Sequence, residues 1–244
     1  MNMLPQLPFM DVIAISWFAA AWILYAYLLD HSKIAEKSLS AAMDKQRVLW
    51  MKTMMLRELR IVDTSIMAGL QQGTAFFAST SIFAIGGTFA LLNGAEEVLA
   101  VFSHLPYAIE MTRAEWETKI LGMLLVYAYA FFKFGWAYRL FNYASMLVGT
   151  VPAKEHAETD YAKTSVESAA EMTVLAGIHF NRGLRAFFFA MGFLGWFLGP
   201  EVFMISTTLV LLVLLRRQFF SASRAAAFRS LQASESFYGS ERPD

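Results

Sequence analysis

Four long apolar stretches, separated by charged segments built of helix-forming residues, organise this chain. The first runs over about residues 9–29, with Asp11 near its start and Asp30 just past its end. The second covers about 66–92 and the third about 120–148. The last lies between Arg185 and Arg216 and holds a single charge, Glu201, beside a central Gly199-Pro200. A helix rises ~1.5 Å per residue, so ~20 apolar residues cross a ~30 Å hydrocarbon core. The pattern predicts an all-α, polytopic helical membrane bundle. No Lys or Arg precedes the first stretch, which therefore reads as a retained helix rather than a signal peptide.

The last stretch has two readings. One continuous helix would exceed the hydrocarbon thickness, whereas proline removes a backbone donor and clashes with the preceding turn, giving two arms at 186–198 and 202–215. Charge decides between them. The loop after the first stretch carries Lys33, Lys37, Lys45, Arg47, Lys52, Arg57 and Arg60. The loop after the second carries Arg113 against Glu96, Glu97, Glu110, Glu115 and Glu117. Cytoplasmic loops collect Lys and Arg, so the first loop is expected inside and the N-terminus outside. A hairpin at Gly199-Pro200 then returns Arg216, Arg217, Arg224 and Arg229 to the cytoplasm, the topology expected of a protein of the inner (plasma) membrane.

The intervening segments are not flexible linkers. Ile34–Val62 has no Gly or Pro and is rich in Ala, Met, Leu, Lys, Arg and Glu. Segments 31–65 and 153–180 are expected as cytoplasmic helices, with Trp50 as an interfacial anchor. The tail, 216–244, sets Phe219, Phe220, Phe228 and Leu231 among Arg and Ser, which suits a helix lying on the membrane surface. The whole chain reads as one membrane domain.

Composition narrows the chemistry. Of 244 residues, 57% are hydrophobic and 16% charged, and 20 Lys+Arg balance 20 Asp+Glu. Without net charge or a dense basic run, nucleic acid is not an expected partner. The chain has no cysteine, which excludes disulfides, thiolate catalysis and Cys-based zinc sites. His31, His104, His156 and His179 are scattered over three loops without ligand spacing, so no metal site is expected. No carboxylate pair or phosphate loop appears, so neither cofactor nor enzymatic activity is expected.

The polar residues inside the apolar stretches carry the candidate chemistry. Ser65, Gln72, Ser79, Gly86 and Asn93 recur every seven residues and share one helix face. Gly69-Leu-Gln-Gln-Gly73 is a GxxxG, extended by Gly87 and Ala90, and Gly195-Trp-Phe-Leu-Gly199 is a second. Small residues allow helices to approach closely in lipid, so Ser65, Gln72 and Ser79 read first as a packing seam and second as a polar path. Lys133, within the third stretch, either snorkels toward the Arg139 boundary or fills a buried role in an anion path. Arg139, Asn142 and Arg185, toward the cytoplasmic ends, are candidates for contact with loop carbonyls or phosphate headgroups.

Three stretches also carry a family likeness: RIVDTSIMAGLQQGTAFFA (60–78), FGWAYRLFNYASMLVGTVP (134–152), and the segment from Phe180 to Phe219 with its Trp-x-x-Gly-Pro. Together with Asp11 they resemble the membrane proteins grouped as domain of unknown function 599. The likeness implies a multi-pass membrane protein and no particular activity. Two functional classes follow. One is a small oligomeric channel or transporter. The other is a non-enzymatic scaffold or assembly factor docked on a larger membrane complex. In either case the lipid bilayer is a partner, and a homo-oligomer is the simplest assembly.

Overall fold

The computed structural model describes residues 8–97, 100 and 111–240. Helices account for nearly all of them, and there is no strand among the described residues. The main helices are α1 (Phe9–His31), α2 (Leu39–Met55), α3 (Ile61–Asn93), α4 (Arg113–Thr150), α5 (Asp160–Phe193), α6 (Pro200–Phe219) and α7 (Ala222–Ser240). Short 3-10 turns lie at Lys33–Lys37, Lys154–His156 and Leu194–Leu198. Four helices are long and apolar enough to cross a membrane: α1, α3, α4 and the helix that begins at Pro200. Glu110 and His104 lie outside the described residues, as does the end of the tail, 241–244.

Local chemistry sets the helix ends. Ser38 caps α2 by accepting a hydrogen bond from the Ala41 amide at 3.1 Å. Thr112 and Glu115 form a reciprocal capping box at the start of α4. The Thr112 amide donates to Glu115 Oε2 at 2.8 Å, and the Glu115 amide donates to Thr112 Oγ1 at 3.3 Å. Ser221 caps α7 through the Arg224 amide at 3.1 Å. Gly199 takes φ 128°, a conformation that L side chains rarely adopt, and Pro200 follows as the first residue of α6. The break at Gly199-Pro200 is therefore built by both residues: one turns the chain, the other starts the next helix.

The arms of this hairpin differ from the sequence expectation. The segment expected as 153–180 and the arm expected as 186–198 belong largely to one helix, α5, of 34 residues. The apolar run inside α5 is interrupted by His179, Asn181, Arg182 and Arg185, which is why α5 is not among the four spanning candidates. The second arm, α6, has 20 residues rather than the 14 or so of 202–215, long enough to cross without thinning the bilayer. The tail forms α7, which packs on α2, with Leu231 buried and Gln46 Nε2 donating to the Ala227 carbonyl at 3.4 Å.

The chain divides into two compact units. The first comprises Met1–Leu28, Phe77–Phe132 and Arg182–Leu214. Its interior is aromatic. Phe18 meets Phe189, Phe193 and Phe203 at centroid distances of 5.7, 5.4 and 5.2 Å. Trp22 stacks on Phe189, and Trp196 on Phe203. The hairpin arms touch at glycine: Ser206 Oγ donates to the Gly192 carbonyl at 2.6 Å, and a side chain at Gly195 would strike Ser206 and the Val202 carbonyl.

The second unit comprises Leu29–Phe76, Lys133–Asn181 and Leu215–Asp244. Met51, Met54, Met67, Leu140, Phe141, Ala144, Val148, Val166 and Ala169 are buried together in its core, and Phe134, also fully buried, meets Phe180 at 5.6 Å. Gly177 of α5 lies under the Arg47 guanidinium of α2, where a Cβ would come within 2.5 Å of Arg47 Cζ.

Candidate functional site

Polar side chains gather at several places in the interior of each unit. In the first unit, Asp11 and Lys119 flank Trp196. The Trp196 indole donates to Asp11 Oδ1, and Lys119 Nζ donates to the Trp196 carbonyl at 2.9 Å. Lys119 also lies 5.4 Å from the Trp196 ring centroid. Both charged residues are buried, Asp11 at 7% and Lys119 at 5% exposure. Trp116 donates to the Leu91 carbonyl at 3.1 Å, fixing α3 to α4 nearby. A buried charge is tolerated only when paired and hydrogen-bonded, and the Trp196 backbone and indole supply those bonds.

In the second unit, the junction between α2 and α3 is closed by Asp63. Its Oδ1 accepts from Trp50 Nε1 at 2.7 Å and from Arg57 at 2.5 Å. Asp63 is 1% exposed, and its Oδ2 has no hydrogen-bond partner. An acidic group in the first turn also suits the positive end of α3. Arg60 next to it donates to the Val151 carbonyl at 2.7 Å and to the Pro152 carbonyl. It thereby caps the C-terminal end of α4 with a cation, the charge that end favours. Two turns along α3, Gln71 Nε2 donates to Asn142 Oδ1 and Ser145 Oγ, each at 2.9 Å. On α2, burial pushes the Asp44 carboxyl above the usual carboxylate range while Arg47, 2.6 Å away, draws it back.

These clusters join the stretches that carry the family likeness. Arg60 and Gln71 of the first stretch bond to Val151, Pro152, Asn142 and Ser145 of the second. Asp11 bonds to Trp196 of the third. The family model described as "Protein of unknown function, DUF599" matches residues 13–223. The chain belongs to the DUF599 family. No curated protein and no solved structure matches it. DUF599 membership carries no activity with it, so function must be argued from the arrangement of side chains in this DUF599 chain.

The residues singled out from the sequence are dispersed. Ser65, Gln72, Ser79, Gly86 and Asn93 are all exposed, so the stripe is not a seam within the chain. Gly69, Gly73, Gly86 and Gly87 have nothing within 4 Å of where a Cβ would stand. Lys133 is half-buried. Arg139 is exposed, donates to the Tyr143 hydroxyl at 2.5 Å and lies over the Trp136 and Tyr143 rings. Asn142 is the acceptor for Gln71 rather than a headgroup contact in this arrangement. Arg185 is buried, 5.9 Å over the Tyr25 ring. Trp50, expected as an interfacial anchor, spends its indole N–H on Asp63 instead. Among the described residues no group of three or more His, Asp or Glu is placed to hold a metal ion.

Sequence reasoning read no site at Asp63, Arg60, Gln71 or Lys119, and marked Trp196 only within the Trp-x-x-Gly-Pro of the family likeness. Asp63, Arg60 and Gln71 lie next to residues that were read, and Lys119 stands one position before the third apolar stretch. Each was passed over as a boundary charge or a second amide, and nothing in the spacing marks their partners.

Proposed function

We propose that this chain is a multi-pass protein of the inner (plasma) membrane, N-terminus outside and C-terminus cytoplasmic, that works as a non-enzymatic assembly element. It associates with a second copy through the small-residue face of α3. The observation that carries this reading is the empty space beside Gly69 and Gly73. Glycine costs a helix about 1 kcal/mol relative to alanine. Among the described residues nothing uses the close approach that these glycines permit, and the same helix repeats the pattern at Gly86 and Gly87. In lipid, small faces are where another helix packs. The face has no charge to seek a complement, and Gln72 carries both a donor and an acceptor, so it can pair with its own copy across a two-fold axis.

The cysteine-free chain offers a direct test. Gln72→Cys, reconstituted in liposomes and mildly oxidised, should form a disulfide-linked dimer, because such bonds need Cα atoms within about 7 Å. Leu125→Cys, exposed on α4, should not. Adding Gly73→Leu to Gln72→Cys should abolish the link. Equal cross-linking at both cysteines, or none at position 72 at any protein-to-lipid ratio, would sink the reading.

The channel reading draws on the polar character of the same face, Ser65, Gln72 and Ser79, and on Lys133. Ion flux in proteoliposomes that falls in Gln72→Leu or Lys133→Ala would favour it over a dry contact.

A further inference from the structure

A second surface combines exposed cations with an exposed aromatic ring. It lies entirely within the second unit, where the end of α6 meets the start of α2. Hydrogen bonds among α6, α7, α2 and the preceding 3-10 turn fasten this corner. The Ser40 amide donates to Gln218 Oε1 at 3.1 Å, Gln218 Nε2 donates to Ser40 Oγ at 2.9 Å, and Arg224 Nε donates to the Lys37 carbonyl. On this frame Lys33, Lys37, Arg216 and Arg217 are exposed, against two exposed carboxylates, Asp30 and Glu36. Phe220, one turn beyond Arg216, is 82% exposed.

We propose that this basic rim binds the phosphate headgroups of anionic phospholipid, with Phe220 entering the acyl region beside them. Three observations favour lipid over a soluble anion. The helix α6 carries no charge between Glu201 and Arg216, so Arg216 stands where an apolar, membrane-length segment ends. Phe220 next to cations has no good solvent in water but has one at the boundary between headgroup and hydrocarbon. The hydrogen-bonded frame holds the cations of two separate segments together, so they meet a charged surface jointly rather than as loose side chains. The inference rests on the membrane reading above but not on dimerisation through α3.

The full-length chain, purified in mild detergent and stripped of lipid, is titrated with dioleoyl phosphatidylglycerol or dioleoyl phosphatidylcholine, and retained lipid is read by native mass spectrometry. Phosphatidylglycerol should bind roughly tenfold more tightly. Lys33→Gln/Lys37→Gln/Arg216→Gln should erase the preference, and Lys154→Gln/Lys163→Gln, exposed elsewhere in the same unit, should keep it. In the wild-type chain the preference should collapse at high salt, a measurement that needs no variant to fold. Equal binding of the two lipids, a preference surviving the triple substitution or high salt, or full competition by soluble glycerol phosphate would overturn the proposal. So would an acidic peptide that displaces phosphatidylglycerol at matched charge. A chain soluble without detergent would instead overturn the membrane reading itself, and failed cross-linking at position 72 would touch only the dimer.

Discussion

The two units solve the same problem, holding long helices together, with different materials. The first uses ring-on-ring packing and glycine contacts, with one charged cluster at Asp11, Trp196 and Lys119. The second uses small aliphatic and methionine packing, fastened by charged hydrogen bonds at Asp63, Arg57 and Arg60 and by amides at Gln71 and Asn142. In hydrocarbon, apolar side chains gain nothing by leaving lipid, so shape and contact must bind the helices. Where water reaches, charged clamps tolerate the solvent and fix the loops.

Substitutions can break this contrast. The largest effect is expected at Phe189, fully buried among Phe18, Trp22 and Tyr25. Phe189→Ala should cost about 3–5 kcal/mol, read as a drop in thermal unfolding in detergent. A near-neutral result would mean that rings do not hold the first unit. Next is Asp63→Ala, which strands the Trp50 indole and frees Arg57. About 2 kcal/mol is expected, discounted because Arg57 is partly exposed to solvent. Unchanged unfolding would remove the polar clamp from the account of the second unit. The sharpest comparison is the smallest. Gly195→Ala meets a backbone carbonyl in the first unit and should cost about 1–3 kcal/mol. Gly177→Ala meets only the movable end of Arg47 in the second and should stay within about 1 kcal/mol. Reversed order would show that the glycines of the first unit are not there for contact.

The helical class, the apolar stretches and the break at Gly199-Pro200 were legible because each follows from backbone chemistry or from long runs of one kind of residue. The inward face of α3 was not. Two heptad series run along the helix, the exposed Ser65/Gln72/Ser79/Gly86 and the buried Met67/Thr74/Ser81/Thr88, and both carry polar residues. The buried series hides its hydroxyls by turning them onto its own helix: Thr74 onto Leu70, Ser81 onto Phe77 and Thr88 onto Ala84, at 2.7, 2.9 and 2.7 Å. A polar residue that bonds its own backbone is apolar toward its neighbours, and periodicity cannot see that. The loop charges likewise hide a second role. Arg57 and Arg60 count toward the inside-positive bias, yet their structural work is done on Asp63 and on the end of α4.

The Asp11–Trp196 bond joins positions 185 residues apart, whereas Arg60 reaches Val151 over 91. A nascent chain delivers its residues in order, so Arg60 is waiting when α4 emerges and can finish that helix at once. Asp11 enters with the first helix and stays without its indole until the hairpin has been translated. During biogenesis the carboxylate near the N-terminal end of α1 therefore has to be sheltered by water, lipid headgroups or the insertion machinery until Trp196 arrives.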